Sequence, residues 1–105
     1  MKNTKHQMTV IFCTILLSAT TGCATRSVDN HARNMAASCA ACHGTNGNSV
    51  GGIPALAGAD KSYFITQMKN FKSGARPATV MNNHAKGYSD EEIAQLANFF
   101  AAQKP

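Results

Sequence analysis

Residues 39–43 read Cys-Ala-Ala-Cys-His. Two thiols three positions apart, followed at once by an imidazole, crowd strong ligating groups into about one helical turn. A thioredoxin-like redox dithiol would use such a Cys-x-x-Cys pair, but it needs a preceding strand in a βαβ context. No β-rich run precedes Cys39, and residues 29–38 are rich in alanine and polar side chains. A zinc site would need a fourth ligand beyond Cys39, Cys42 and His43, and no second Cys pair supplies it. A disulfide across two intervening residues is strained. Covalent attachment of a c-type haem fits the spacing best. Each thiol adds across one vinyl group of the macrocycle, and the histidine that follows becomes the proximal iron ligand.

The sixth position on such an iron needs a side chain from another segment. Met35 and Met68 fall inside apolar helical stripes and read as core. Met81 and His84 lie in residues 74–88, expected to be irregular. Met81 is the favoured distal ligand, flanked by Val80 and Asn82, and His84 is its rival. A thioether ligand raises the reduction potential, whereas a second histidine gives a lower one. The proximal His43 also needs an acceptor for its other ring nitrogen, and the carbonyl of Pro54 is the candidate.

Helices must position these groups. A first helix is expected from Asp29 or Asn30, with Ala32, Met35, Ala36 and Cys39 at helical spacing. Residues 44–59 read as a glycine-rich loop in which Ile53, Pro54 and Leu56 can cover one haem face. A helix over 60–73 is capped by Asp60 or Ser62 and ended by Gly74, with Phe64, Met68 and Phe71 on one stripe. The last helix, 89–103, opens on the capping box Ser89-Asp90-Glu91-Glu92. In it Ile93, Leu96, Ala97 and Phe100 follow the i, i+3, i+4, i+7 pattern. The small residues Ala94, Ala97 and Ala101 suit a close crossing with the first helix.

With 105 residues, the chain is sized for one domain. Residues 1–22 read as an export signal, with Lys2 and Lys5 before the apolar stretch Val10–Ala19. That stretch is too short to span a bilayer. Thr20-Thr21-Gly22-Cys23 resembles a bacterial lipobox with Thr in place of the usual Leu, which makes Cys23 a candidate for lipidation. Residues 23–30 are then a polar tether, and residues 31–105 the haem domain. Export agrees with the haem motif, because c-type haem is attached outside the cytoplasmic membrane. The whole chain carries +5; without Lys2 and Lys5, eight basic residues face five acidic ones and the charge is +3. No basic cluster interleaved with aromatics is present, so the charge is not a nucleic-acid footprint. It leaves a modest basic surface for docking an acidic redox partner.

The layout of helix, Cys-x-x-Cys-His, glycine-rich loop, helix, Met-bearing segment and final helix resembles the class I c-type cytochromes. Within them it is most similar to the cytochrome subunits of flavocytochrome c sulfide dehydrogenase. The similarity runs through Cys-Ala-Ala-Cys-His-Gly-Thr-Asn-Gly-Asn-Ser at 39–49 and Ile-Pro-Ala-Leu-Ala-Gly at 53–58. It continues in Phe-Lys-Ser-Gly-Ala-Arg-Pro-Ala-Thr-Val-Met at 71–81 and Ala-Lys-Gly-Tyr-Ser-Asp-Glu-Glu-Ile at 85–93. The resemblance implies a small all-α fold, three to four helices around one covalent haem c. It implies haem attachment at Cys39 and Cys42, with His43 and Met81 as iron ligands. It also implies a periplasmic, non-enzymatic role passing single electrons beside a flavoprotein that oxidises sulfide. The competing expectations are a free-standing, lipid-tethered electron carrier and a ligand-binding haem enzyme or sensor in which His84 acts as a distal base.

Overall fold

The stripe Ile93, Leu96, Ala97 and Phe100 is fully buried and belongs to the helix on which the two other long helices pack. The computed structural model describes residues 23–105, with side chains from Asn30 onward. The export segment 1–22 and the Cys23 side chain fall outside the described residues. In chain order, α1 spans Cys23–Ala37, α2 Ala40–His43, α3 Lys61–Ser73, α4 Met81–Lys86 and α5 Asp90–Ala101, with a 3₁₀ turn at Thr45–Gly47. The fold is all-α, with no strand among the described residues.

Helix α5 begins where its capping box predicts. Ser89 Oγ accepts from Glu92 N at 3.1 Å, and Ser89 N donates to Glu92 Oε2 at 2.8 Å. These bonds satisfy two backbone and side-chain partners at once. Asp90, Glu91 and Glu92 complement the positive end of the helix dipole. Helix α3 is held in the same way at its start, where Tyr63 N donates to Asp60 Oδ1 at 2.8 Å, and it ends at Gly74 in the left-handed conformation.

Both α1 and α3 pack on α5. Ala32 and Ala36 are buried on the α1 side and Ala97 on α5, so small side chains let these helices approach closely. On the α3 side Phe64 and Met68 are buried, and the Phe64 and Phe100 rings meet at 5.7 Å between centroids. Phe99 meets Phe100 edge-on at 5.2 Å. Met68 therefore belongs to the core, as its stripe predicts, and Met35 packs against that core.

The structure revises two local expectations. The polar residues 23–30, read as a tether, are helical and extend α1 at its N-terminal end. Nothing in Cys-Ala-Thr-Arg-Ser-Val-Asp-Asn is Pro or Gly, so no residue there breaks a helix. The second revision concerns 74–88, read as irregular throughout. Met81–Lys86 forms the short helix α4, packed on α3. Its sequence Met-Asn-Asn-His-Ala-Lys has weak helix propensity, and Ala85, which is completely buried, ties it to the core.

Candidate haem site

Cys39 sits at the corner between α1 and α2. Its N donates to Ala36 O at 3.1 Å, and its own carbonyl accepts from Cys42 N at 3.2 Å and His43 N at 2.9 Å. One tight turn thus carries both thiols and the imidazole. Both sulfurs are free thiols, Cys39 partly buried and Cys42 exposed. Burial pushes the Cys39 thiol above its ordinary pKa. Ser38 closes this corner. Its Oγ donates to Met35 O at 2.8 Å, so the Tyr88 hydroxyl, also 2.8 Å away, is the donor to Ser38 Oγ. That contact links the motif to the segment joining α4 and α5.

The imidazole is oriented by the loop that follows. His43 Nδ1 lies 2.7 Å from Pro54 O. A carbonyl only accepts, so Nδ1 carries the proton and Nε2 keeps its lone pair. Proline fixes the local backbone and with it the carbonyl. The loop reaches this place through Gly47, at φ 80°. Its carbonyl accepts from Leu56 N at 2.8 Å and Ala57 N at 3.1 Å. A Cβ on Gly47 would lie 2.8 Å from Ala57 N and 2.9 Å from Phe100 Cδ1, so only glycine fits the crossing.

Met81 opens α4. It is half-buried and packs on the same core cluster as Cys39, Leu56, Ile65 and Tyr88. His84, one turn further along α4, is exposed. Before α4, Arg76 folds back on α3, its guanidinium 4.6 Å from the Phe71 ring centroid and Nη1 2.6 Å from Gln67 Oε1. Arg76 thus engages the surface of α3. Sequence reasoning passed over Asn82, whose amide makes three bonds in this segment. No spacing or composition signal marks it.

The donor set suits a c-type haem. Two reduced thiols, an imidazole with a free Nε2 and a half-buried thioether are the groups such a cofactor requires. Large apolar side chains beside the motif are open to solvent, with Ile53 42% exposed and Val50 wholly so, and Val80 next to Met81 is 52% exposed. A macrocycle offers such surfaces a partner. Among the described residues no three His, Cys, Asp or Glu side chains converge as a metal-ion site, which leaves the zinc alternative without a ligand set.

Comparison with known proteins agrees. The family model for cytochrome c matches residues 32–104. The chain is 48% identical over 66 residues to the cytochrome subunit of sulfide dehydrogenase of Chlorobaculum tepidum, covering 63% of this chain and 60% of that one. It is 36% identical over 83 residues to a cytochrome c4 of Azotobacter vinelandii, covering 70% and 40%. With the thiosulfate dehydrogenase electron acceptor of Thiomonas intermedia it shares 42% identity over 72 residues, covering 67% and 33%. The chain therefore spans between a third and three fifths of the length of these relatives. The family match brings the cofactor, covalently bound haem c. This chain belongs to the cytochrome c family.

Proposed function

We propose that this protein is an exported monohaem cytochrome that accepts single electrons from a sulfide-oxidising flavoprotein. The contact between His43 Nδ1 and Pro54 O carries the electron-transfer reading, because it orients the imidazole and leaves Nε2 free to bind an iron. In this reading Cys39 and Cys42 would hold the haem through thioether bonds, and His43 and Met81 would be the side chains that ligate its iron. Bound there, the haem supplies a one-electron ferric/ferrous couple. Cys39 and Cys42 prevent its loss. Pro54 holds the His43 proton on Nδ1 and so fixes the imidazole orientation. Met81 closes the distal side against exogenous ligands, and Leu56 and Ile53 limit water. No residue has to move a proton during transfer. The Chlorobaculum tepidum similarity supports a flavoprotein of sulfide oxidation as electron donor.

Export through residues 1–22, lipidation at Cys23 and a periplasmic location belong to the same proposal. No helix among the described residues is long and apolar enough to cross a membrane. A lipid on Cys23 would sit at the residue where α1 starts.

Native purification tests the reading. A co-eluting flavin-containing subunit, and reduction of the haem on adding sulfide, are expected. Haem that stays oxidised when sulfide and the candidate flavoprotein are both present would sink the donor assignment. Rapid binding of carbon monoxide to the ferrous wild type would instead favour a ligand-binding protein. The mass of the mature protein decides lipidation at Cys23.

A further inference from the structure

Helix α4 cannot hold itself in place. It has six residues, far below the length at which a helix is stable alone. Its N-cap residue, Val80, offers no side-chain cap. The seven residues between α3 and α4 include Gly74 in the left-handed conformation, and Ala75 to Val80 are exposed. Yet this segment must deliver Met81 to one position.

Asn82 supplies the constraint. Its Nδ2 donates to Phe71 O at 2.8 Å and to Arg76 O at 2.9 Å, using both amide protons. Its Oδ1 accepts from Ala78 N at 2.8 Å. One side chain therefore ties the first turn of α4 to the last turn of α3 and to two points of the loop between them. Phe71 O lies in the last turn of α3 and already accepts from Gly74 N at 3.2 Å, so the amide adds a second donor to the helix end. Arg76, stacked on Phe71, holds the loop from the other side. The neighbouring Asn83 is exposed.

We propose that Asn82 is the positioning residue for the distal ligand: its carboxamide clamps the 74–80 loop onto α3 and thereby aims the Met81 thioether at the iron. The proposal rests on the reading of Met81 as that ligand. Losing the clamp frees the thioether to swing away while α1, α3 and α5 keep their packing, because other bonds from the loop to α3, Arg76 N to Asn70 O at 3.0 Å, Gly74 N to Phe71 O at 3.2 Å and Arg76 Nη1 to Gln67 Oε1 at 2.6 Å, hold Gly74 and Arg76 and do not reach α4. A residue that served only the fold would show lower stability with unchanged ligation.

Haem-loaded Asn82→Ala, Asn82→Asp, Asn83→Ala and Met81→Ala variants test this. Asn82→Asp keeps the size and the acceptor and removes the two donors. Ligation is read from the thioether-to-ferric charge-transfer band and from carbon monoxide binding to the ferrous form. Loop order is read from hydrogen exchange at the Ala78 amide. Met81→Ala should lose the band and bind carbon monoxide quickly. Both Asn82 variants should lower the equilibrium constant for Met81 ligation by about tenfold, as expected for a lost net hydrogen bond or two, seen as a weaker band and faster carbon monoxide binding than in wild type. In Asn82→Ala the Ala78 amide should exchange faster by a similar factor. Asn83→Ala should match wild type.

A full band and inertness to carbon monoxide in both Asn82 variants overturn the proposal and leave Met81 ligation standing. An unchanged band in Met81→Ala overturns the ligand reading, and the proposal with it. Failure of both Asn82 variants to load haem, where Met81→Ala loads normally, also overturns it, because Asn82 would then serve folding.

Discussion

His43 and Met81 divide the work at the scale of single residues. The histidine is held by a bond to a proline-fixed carbonyl, whereas the methionine is a half-buried group on a short helix. The distal side is therefore the weaker of the two. Met81→His should keep the iron six-coordinate and lower the reduction potential, measured by redox titration. His84→Ala should leave potential and spectrum unchanged, since His84 is exposed and has no part in the proposed ligand set. A surface titration offers an independent check. The Lys69 ammonium, hydrogen-bonded at 3.0 Å, holds the Asp90 carboxyl below its ordinary pKa of 3.8, helped by Lys72 at 3.5 Å. The folded value is the lower one, so this contribution is present above pH 3.8 and is lost as pH falls through the folded pKa. Asp90 is fully exposed, so salt screens the effect. Lys69→Ala should move the Asp90 carboxyl pKa upward toward 3.8, followed by carboxyl NMR.

Local rules govern most elements and fail at α4. The capping box starts α5 because Ser89 and Glu92 satisfy each other's backbone groups within one turn. Ser89→Ala should cost about 1 kcal/mol in denaturant unfolding of the holoprotein, with an unchanged m-value. The crossing at Gly47 is equally local in cause, but its consequence is tertiary. Gly47→Ala forces a Cβ into Ala57 N, Leu56 Cβ and the Phe100 ring at a positive φ. A loss of about 2–4 kcal/mol is expected, read in the same experiment. The shift of the Leu56 and Ala57 amides should also loosen the loop carrying Pro54. No comparable local signal marks α4, whose stability comes from buried Ala85 and the Asn82 bonds.

The whole molecule has little core for its size. Only ten apolar side chains are buried among residues 30–105, whose side chains are described, and neither Cys39 nor Cys42 forms a disulfide. Such a domain needs a further staple, and a covalently held apolar macrocycle is one. A Cys39→Ser, Cys42→Ser double variant, made without attached haem, should lack a cooperative thermal transition by circular dichroism. Within the holoprotein, Leu96→Ala removes a side chain with no exposure at the meeting of the helices. It should cost about 2–5 kcal/mol.

The sequence by itself determined the cofactor chemistry and the helices that carry it. A five-residue motif sets thiol spacing and the adjoining imidazole, and helix caps and apolar stripes depend on neighbours within a turn. The Pro54 carbonyl was legible because a histidine ligand needs an acceptor and proline restricts where one lies. The helical state of residues 23–30 and 81–86 was not legible, because polar composition permits helix without requiring it. Only the tertiary structure decided that Asn82, rather than any neighbour, faces the carbonyls of Phe71 and Arg76. Such a bond depends on the path of a loop in space, and no periodicity in the chain records that path.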